Sequence, residues 1–443
     1  MNYGSAQKYL QEILDSGIKF GLDNVHTVLL ALGRPQQTYP TVLVAGTNGK
    51  GSVCAMLAGA LTRQGFKTGL YTSPHLIHVE ERIRIGESPI SRPAFGRLLG
   101  RLKSVFEELV ASGRLASPPT YFETLTLLAF LYFQEHKVDI AVLEVGMGGR
   151  LDATNVVTPL VSVITTVEKD HQEYLGRTRR EIAREKAGII KPGVPVVCGV
   201  DRGAARDVIQ RTARRQGSPF VGVFDDPRAF LPMKTKNGWR FTFRWEGEKY
   251  GFTPGLPGEH QGRNAALAIA AWREIGRRWH PVRKESILAS IKETRWEGRL
   301  ERVPGRPRIV LDGAHNEAGA RTVAAYVRDF LPQPVTLVFG IMKDKDIRKV
   351  SGLVFPLART IILTSISSPR AATPELVFSL APVRGKKIFL EPDPKKAVAK
   401  AIEWTPPEGA ILITGSLFLV GEVKKCFPSW NKLRALRSIP RSI

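Results

Sequence analysis

Cysteine is scarce in this 443-residue chain: the three present, Cys54, Cys198 and Cys426, are too few and too scattered for a disulfide framework or a cysteine metal site. A reducing compartment, the cytoplasm, is the expectation. Long hydrophobic runs are missing too. The longest, residues 124–133, is far short of the ~20 residues a membrane helix needs. The opening Met1-Asn2-Tyr3-Gly4-Ser5-Ala6-Gln7-Lys8 has no apolar signal core, so no membrane association is expected. Acidic residues are outnumbered, 41 against 65 lysines and arginines, giving a net charge of +24. Such a surplus suits nucleic acid, or an anionic substrate drawn by a positive field. It is spread along the chain, densest at 202–215 and 424–441, with no long basic block. A solvated basic surface is therefore the favoured reading, and no nucleic acid partner is expected. Fixed-period repeats and low-complexity tracts are absent. At 43% apolar and 24% charged residues, the composition is that of a globular enzyme of two or three domains.

What is present is organised around Val42-Leu43-Val44-Ala45-Gly46-Thr47-Asn48-Gly49-Lys50-Gly51-Ser52. An apolar β-branched run stops at a glycine-rich loop, and a helical pattern resumes at Val53. That order points backbone N–H groups and a helix N-terminus at a phosphate. Gly46, Gly49 and Gly51 permit close approach of the backbone, Lys50 supplies positive charge, and the Ser52 hydroxyl is placed to reach Mg²⁺. The spacing is tighter than in the common phosphate loop, with two residues between Gly46 and Gly49, and Gly51 ahead of Ser52. Cys54, near the helix start, is read as packing rather than as an activated thiol.

Residues 1–40 read as helical, with Leu10, Ile13 and Leu14 at helical spacing. Strands are expected at 42–45, 67–71, 138–145, 160–167 and 194–198, and helices at 53–64, 93–112, 120–136 and 178–187. The alternation argues for an α/β fold with a mostly parallel sheet and ligands at the C-terminal strand ends. Between 201 and 258 the pattern loosens. There Trp239, Phe241, Phe243 and Trp245 alternate with Arg240, Thr242 and Arg244. A base-stacking platform is one reading; a hairpin with one buried face is the favoured one. Residues 295–307 look like a linker by their glycine and proline punctuation. A second, smaller α/β series follows, with strands at 308–311, 335–339, 360–363, 387–390 and 410–413. The expected division is 1–294, an ATP-binding domain; 295–307, the linker; and 308–443, a Rossmann-like α/β domain.

Polar residues gather at the strand ends. Glu144 closes the run Ile140-Ala141-Val142-Leu143, where a Mg²⁺ ligand belongs and where a turn residue is the plainer alternative. Asp170-His171 follows another strand. His171 is a metal ligand or a structural histidine with equal standing. Lys186 is either a charge at a helix C-terminus or, carbamylated by CO₂, an anionic oxygen ligand; sequence physics does not choose. Asp312-Gly313-Ala314-His315-Asn316, Met342-Lys343-Asp344-Lys345-Asp346 and Gly415-Ser416 end successive strands of the second series, as one composite site would.

The loop Gly-Thr-Asn-Gly-Lys-Gly-Ser at 46–52 resembles that of the Mur ligase superfamily, which joins an amino acid to a carboxylate using ATP. The wider chain resembles folylpolyglutamate synthase/dihydrofolate synthase over nearly its whole length. The motifs are Thr72-Ser73-Pro74-His75-Leu76 with Glu81-Arg82-Ile83, Thr120-Tyr121-Phe122-Glu123, the stretch 144–155 from Glu144 to Asn155, and Asp170-His171 with Leu175-Gly176. Residues 185–191, Leu256-Pro257-Gly258-Glu259-His260-Gln261 with Asn264, residues 312–316 and Asp344-Lys345-Asp346 extend the match. Glu297 departs from the family, which often has proline before Gly298-Arg299. The resemblance implies that Gly46, Thr47, Asn48, Gly49, Lys50, Gly51 and Ser52 hold ATP, joined by Asn264, Arg299 and Asp312. It implies Mg²⁺ on Ser52, Ser73, Glu144, His171 and carbamylated Lys186, with Lys50, Lys186 and His315 catalytic. His315 and Ser416 would serve glutamate. Thr120, Tyr121 and Asp152 would lie near the pterin. Gly21-Leu22-Asp23-Asn24-Val25, Thr120–Glu123 and 150–155 lean toward a bifunctional enzyme, acting on dihydropteroate and on folates. A monomer is expected. Competing readings are another Mur-type amino-acid ligase and, further off, a basic P-loop ATPase acting on nucleic acid. The first usually carries an extra N-terminal sugar-nucleotide domain, for which some forty residues ahead of the loop are too few.

Overall fold

The structure is a computed structural model and describes residues 1–14, 17, 21–381 and 385–426. The basic tail noted in the sequence lies outside these from residue 427 onward. The first sheet has eight strands: β1 (Thr41–Ala45), β2 (Thr68–Tyr71), β3 (Ile83–Ile85), β4 (Ser88–Pro89), β5 (Ile140–Glu144), β6 (Val161–Ile164), β7 (Val196–Cys198) and β8 (Phe220–Gly222). Their order is β4-β3-β2-β5-β1-β6-β7-β8. The ladders from β2 to β8 are parallel, and only the β2–β3 and β3–β4 ladders are antiparallel. Every residue of β1 is buried, as expected of a central strand covered on both faces. Leu43 and Ala45 face the helices Arg92–Ala111 and Tyr121–Glu135, through Phe95, Leu98, Leu125 and Phe130. Val42 and Val44 face Lys50–Arg63 and His260–Arg278, through Met56, Leu57, Leu267 and Trp272.

The aromatic alternation is a hairpin. Strands β9 (Phe230–Thr235), β10 (Gly238–Trp245) and β11 (Glu248–Phe252) form a three-stranded antiparallel sheet. Phe241 and Phe243 are buried with Tyr250 and Phe252, while Arg240 and Arg244 are exposed on the other face. The stacking surface is thus spent on the protein's own core. Strands β3, β4 and β8 had no counterpart in the sequence reading, because runs of two or three residues carry too little periodicity to be seen.

A second sheet of six strands comprises β12 (Glu301–Val303), β13 (Arg308–Leu311), β14 (Val335–Phe339), β15 (Thr360–Leu363), β16 (Lys387–Leu390) and β17 (Ala410–Thr414), in the order β12-β13-β17-β14-β15-β16. All but β12 run parallel. The stretch expected as linker is therefore partly structured, since its residues 301–303 pair with β13. Glu297, at the departure from the family pattern, binds Lys424 Nζ at 2.9 Å and ties the linker to the last described helix, Leu417–Lys424. Among the described residues no helix is long and apolar enough to cross a membrane.

Candidate active site

The site forms where the C-terminal ends of β5-β1-β6, adjacent in the first sheet, meet those of β13-β17-β14 in the second. The loop after β1 is braced by the chain after β6. Thr47 N donates to Thr166 O at 2.9 Å, Asn48 N to Thr166 Oγ1 at 3.0 Å, and Thr165 Oγ1 to Asn48 O at 2.7 Å. Gly46 and Gly49 have φ of 150° and 88°. A Cβ at Gly46 would collide with the Thr165 hydroxyl, and one at Gly49 with the Asn264 carboxamide, so only glycine holds this path. Gly49 caps the helix Lys50–Arg63, which presents its N-terminus to the loop. Lys50 Nζ folds back onto Gly46 O and Thr47 O, at 3.1 and 3.3 Å. Ser52 is buried, and a Cβ on Gly51 would lie 3.4 Å from Glu144 Oε2.

Glu144, at the end of β5, is buried and accepts from Ser73 N at 3.0 Å. Burial raises its carboxyl above the usual range against the pull of Lys50. Lys186, in the last turn of Arg179–Ala187, is buried as well. Burial, with Lys50 nearby, pushes its ammonium down to about 7. Among the described residues it has no carboxylate partner in ion-pair range.

Asp170 joins the two domains. Its carboxylate accepts from Lys345 Nζ at 2.7 Å and from Asn316 Nδ2 at 3.0 Å, and lies 3.4 Å from His315 Nε2. Burial acts to raise this carboxyl, but His315, His171 and Lys345 outweigh it and hold it well below the usual carboxylate range. Beside it, His171 has a left-handed backbone (φ 48°) and is lowered to about 4, chiefly by burial. Asn316 also exchanges hydrogen bonds with Asn48 of the phosphate loop, at 3.1 and 3.4 Å. Asp170, Asn316 and Lys345 were read from sequence only as members of polar strand ends, with no role assigned to any of them. The polar strand ends at 312–316 and 342–346 were the available signal, but which partner they reach is set by domain docking.

The remaining candidates divide. Asn264 abuts Gly49 and donates to Gln261 Oε1 at 2.9 Å. Asp312 accepts from Leu300 N and Ala314 N, both at 2.8 Å, so its visible work is to hold the linker backbone. Burial raises its carboxyl while Arg299 opposes the rise. His315 Nδ1 lies 2.8 Å from Gly313 O. Ser416 caps Leu417–Lys424 through Phe418 N, at 3.1 Å, and makes no hydrogen bond to His315. Thr120 is engaged in a capping box with Glu123. Asp152 takes Met147 N and Thr154 N, both at 3.0 Å, and thereby shapes the loop after Glu144. Tyr121 lies under Arg82, 5.4 Å from ring centroid to Cζ. Cys54 is wholly buried, and burial raises its thiol well above the usual range, as a packing residue should be.

Asp170→Asn is expected to leave the buried Lys345 ammonium with only its longer contact to Asp344, at 3.5 Å, and to destabilise the protein by about 1–3 kcal/mol. Asp170→Asn/Lys345→Met should recover much of the loss. Thermal unfolding of both variants checks this, and equal losses in the two would refute the coupling.

A phosphate loop and a buried carboxylate on one α/β domain, closed over by basic and amide groups from a second, define an ATP-dependent ligase of the Mur type. Sequence profiles agree: the Mur ligase middle domain matches residues 44–272, and the Mur ligase glutamate ligase domain matches 298–417. The chain is 36% identical to the dihydrofolate synthase/folylpolyglutamate synthase of Bacillus subtilis, over 96% of its own length and 98% of that protein. It is 35% identical to the folylpolyglutamate synthase of Lacticaseibacillus casei, with 96% and 98% covered. Mycobacterium tuberculosis folylpolyglutamate synthase, solved with ADP and AMPPCP, superposes with a TM-score of 0.87 at 29% identity, covering 96% of this chain and 99% of that one. The chain belongs to the folylpolyglutamate synthase/dihydrofolate synthase family of the Mur ligases.

Proposed function

We propose that the protein adds L-glutamate to dihydropteroate and to the glutamate tail of tetrahydrofolates, using ATP through an acyl phosphate. The observation that carries this reading is Asp170, where groups from the second domain converge beside the phosphate loop of the first. Residues 1–294 are the ATP-binding domain, 295–307 the connection, and 308–443 the glutamate ligase domain.

The phosphate loop and Lys50 hold the nucleotide phosphates, with Asn264, Arg299 and Asp312 serving the rest of the nucleotide. The acceptor carboxylate attacks the γ-phosphorus as the bond to ADP breaks. The glutamate amine then attacks the acyl carbon, inorganic phosphate leaves, and the amine gives up a proton. Lys50 offsets charge developing on the phosphoryl oxygens. Domain closure keeps water from the acyl phosphate. His315 and Ser416 serve the incoming glutamate; Thr120, Tyr121 and Asp152 shape the pterin side.

Glu144, a buried carboxylate whose Oε2 accepts from the Ser73 amide and faces the loop helix at Gly51, fits Mg²⁺, an ion that needs only one or two protein carboxylates beside nucleotide phosphates and water. Ser52, Ser73, His171 and carbamylated Lys186 would complete its holders. When bound, the ion would screen charge between the phosphates. The protein acts as a cytoplasmic monomer, without nucleic acid.

ADP release with Mg·ATP and L-glutamate, adding dihydropteroate or tetrahydrofolate in parallel, tests the reading. Turnover with both is expected. Turnover with one alone would correct the substrate assignment, and stimulation only by nucleic acid would overturn the reading.

A further inference from the structure

Two arginines are buried among the described residues, Arg206 and Arg82. Arg206 is ion-paired with Asp225. No carboxylate lies within ion-pair range of Arg82 among the described residues. Among the described residues its one side-chain hydrogen bond runs from Nε to His75 Nδ1 at 2.9 Å. As the acceptor of that bond Nδ1 carries no proton, so the imidazole is a neutral ring and offsets no charge. The acidic neighbours in sequence are turned elsewhere. Glu80 binds Arg92 at 3.0 Å, and Glu81 takes the amides of Leu76, Ile77 and His78.

A buried guanidinium with no carboxylate in ion-pair range, and only the longer-range pull of Glu144, is unfavourable, and its fork is left open to an anion from outside. The position says which anion. Arg82 O accepts from Thr72 N at 2.9 Å, which fixes the residue beside Ser73, whose amide in turn holds Glu144. On its other flank lies the Tyr121 ring. The loop helix and Lys50 already serve the nucleotide phosphates. The unserved anion between Glu144 and Tyr121 is the carboxylate that is to be phosphorylated.

We infer that Arg82 binds the reacting carboxylate of the acceptor and holds it between Tyr121 and Glu144. This rests on the ligase reading above. The guanidinium fork suits both states of the group: carboxylate oxygens before phosphoryl transfer, acyl phosphate oxygens after it.

The test compares wild type with Arg82→Met, titrating each, in the presence of ADP, with dihydropteroate and with its carboxamide analogue. Wild type should prefer the carboxylate by about 10–100-fold, the range for a hydrogen bond to a charged group. In Arg82→Met the preference should fall close to one, with affinity for the carboxamide and for ADP unchanged. The thermal midpoint of the ligand-free protein should hold or rise, since an unpaired buried charge has gone. A preference that survives, an equal loss for both analogues, or a loss confined to ADP would each overturn the assignment. If Arg82→Met does not fold, Arg82→Lys serves: it should keep part of the preference, and an undiminished one overturns the assignment. Failure of wild type to bind or turn over either acceptor would instead overturn the ligase reading itself.

Discussion

Lys186→Ala is expected to lower kcat by at least about 100-fold, the upper end for loss of a group supporting a metal site, with the fold retained. The physical basis is the amine. Burial and Lys50 bring it down to about 7, so a large fraction is neutral at physiological pH, and only the neutral amine attacks CO₂. That step forms an N–C bond as one C–O π bond of CO₂ opens, releases one proton, and replaces a buried neutral amine with a buried anion. Initial rates of ADP release check the loss, and a ¹³C carbamate signal from the wild type in ¹³C-bicarbonate checks its cause. Full activity in Lys186→Ala would remove the lysine from the mechanism. The linkage has a defined sign in CO₂-free buffer. Between about 7 and the ordinary 10.5 the unfolded chain holds a proton that the folded chain has released, so this contribution makes stability rise with pH across that window. Lys186→Met should flatten the rise in thermal midpoint.

Glu144→Gln is expected to reduce kcat by about 10²–10³, comparable to removing one preorganised electrostatic group from an active site, and to raise sharply the Mg²⁺ concentration needed for half-maximal rate. The same substitution should raise the thermal midpoint of the metal-free protein, because a carboxylate whose burial disfavours ionisation gives way to a neutral isostere. Opposite movements of activity and stability are the signature of a functional buried charge. Rates measured against Mg²⁺ at fixed ATP decide the point, and an unchanged Mg²⁺ requirement would refute the role.

Much of the fold was legible from the chain. The β-branched runs at 42–45 and 410–413 are buried central strands, and the loop from Gly46 to Ser52 joins strand to helix as its glycines require. The hairpin in β10 followed from period-two aromatics. Short strands were not legible, nor was β12, whose residues pair only because β13 offers them an edge.

The candidate site was half legible, and the division is physical. Residue type and local period determined the phosphate loop, the carboxylate closing β5, and polar residues at strand ends, since each depends on neighbours a few positions away. Tertiary structure alone decided who meets whom. Asp170 reaches Lys345 across 175 positions. Thr120 and Asp152 spend their oxygens on local caps, and Glu80 and Glu81 turn away, so that among the described residues Arg82 has no carboxylate in ion-pair range. Charge compensation depends on distance through space and on exclusion of water, and neither is written in local sequence.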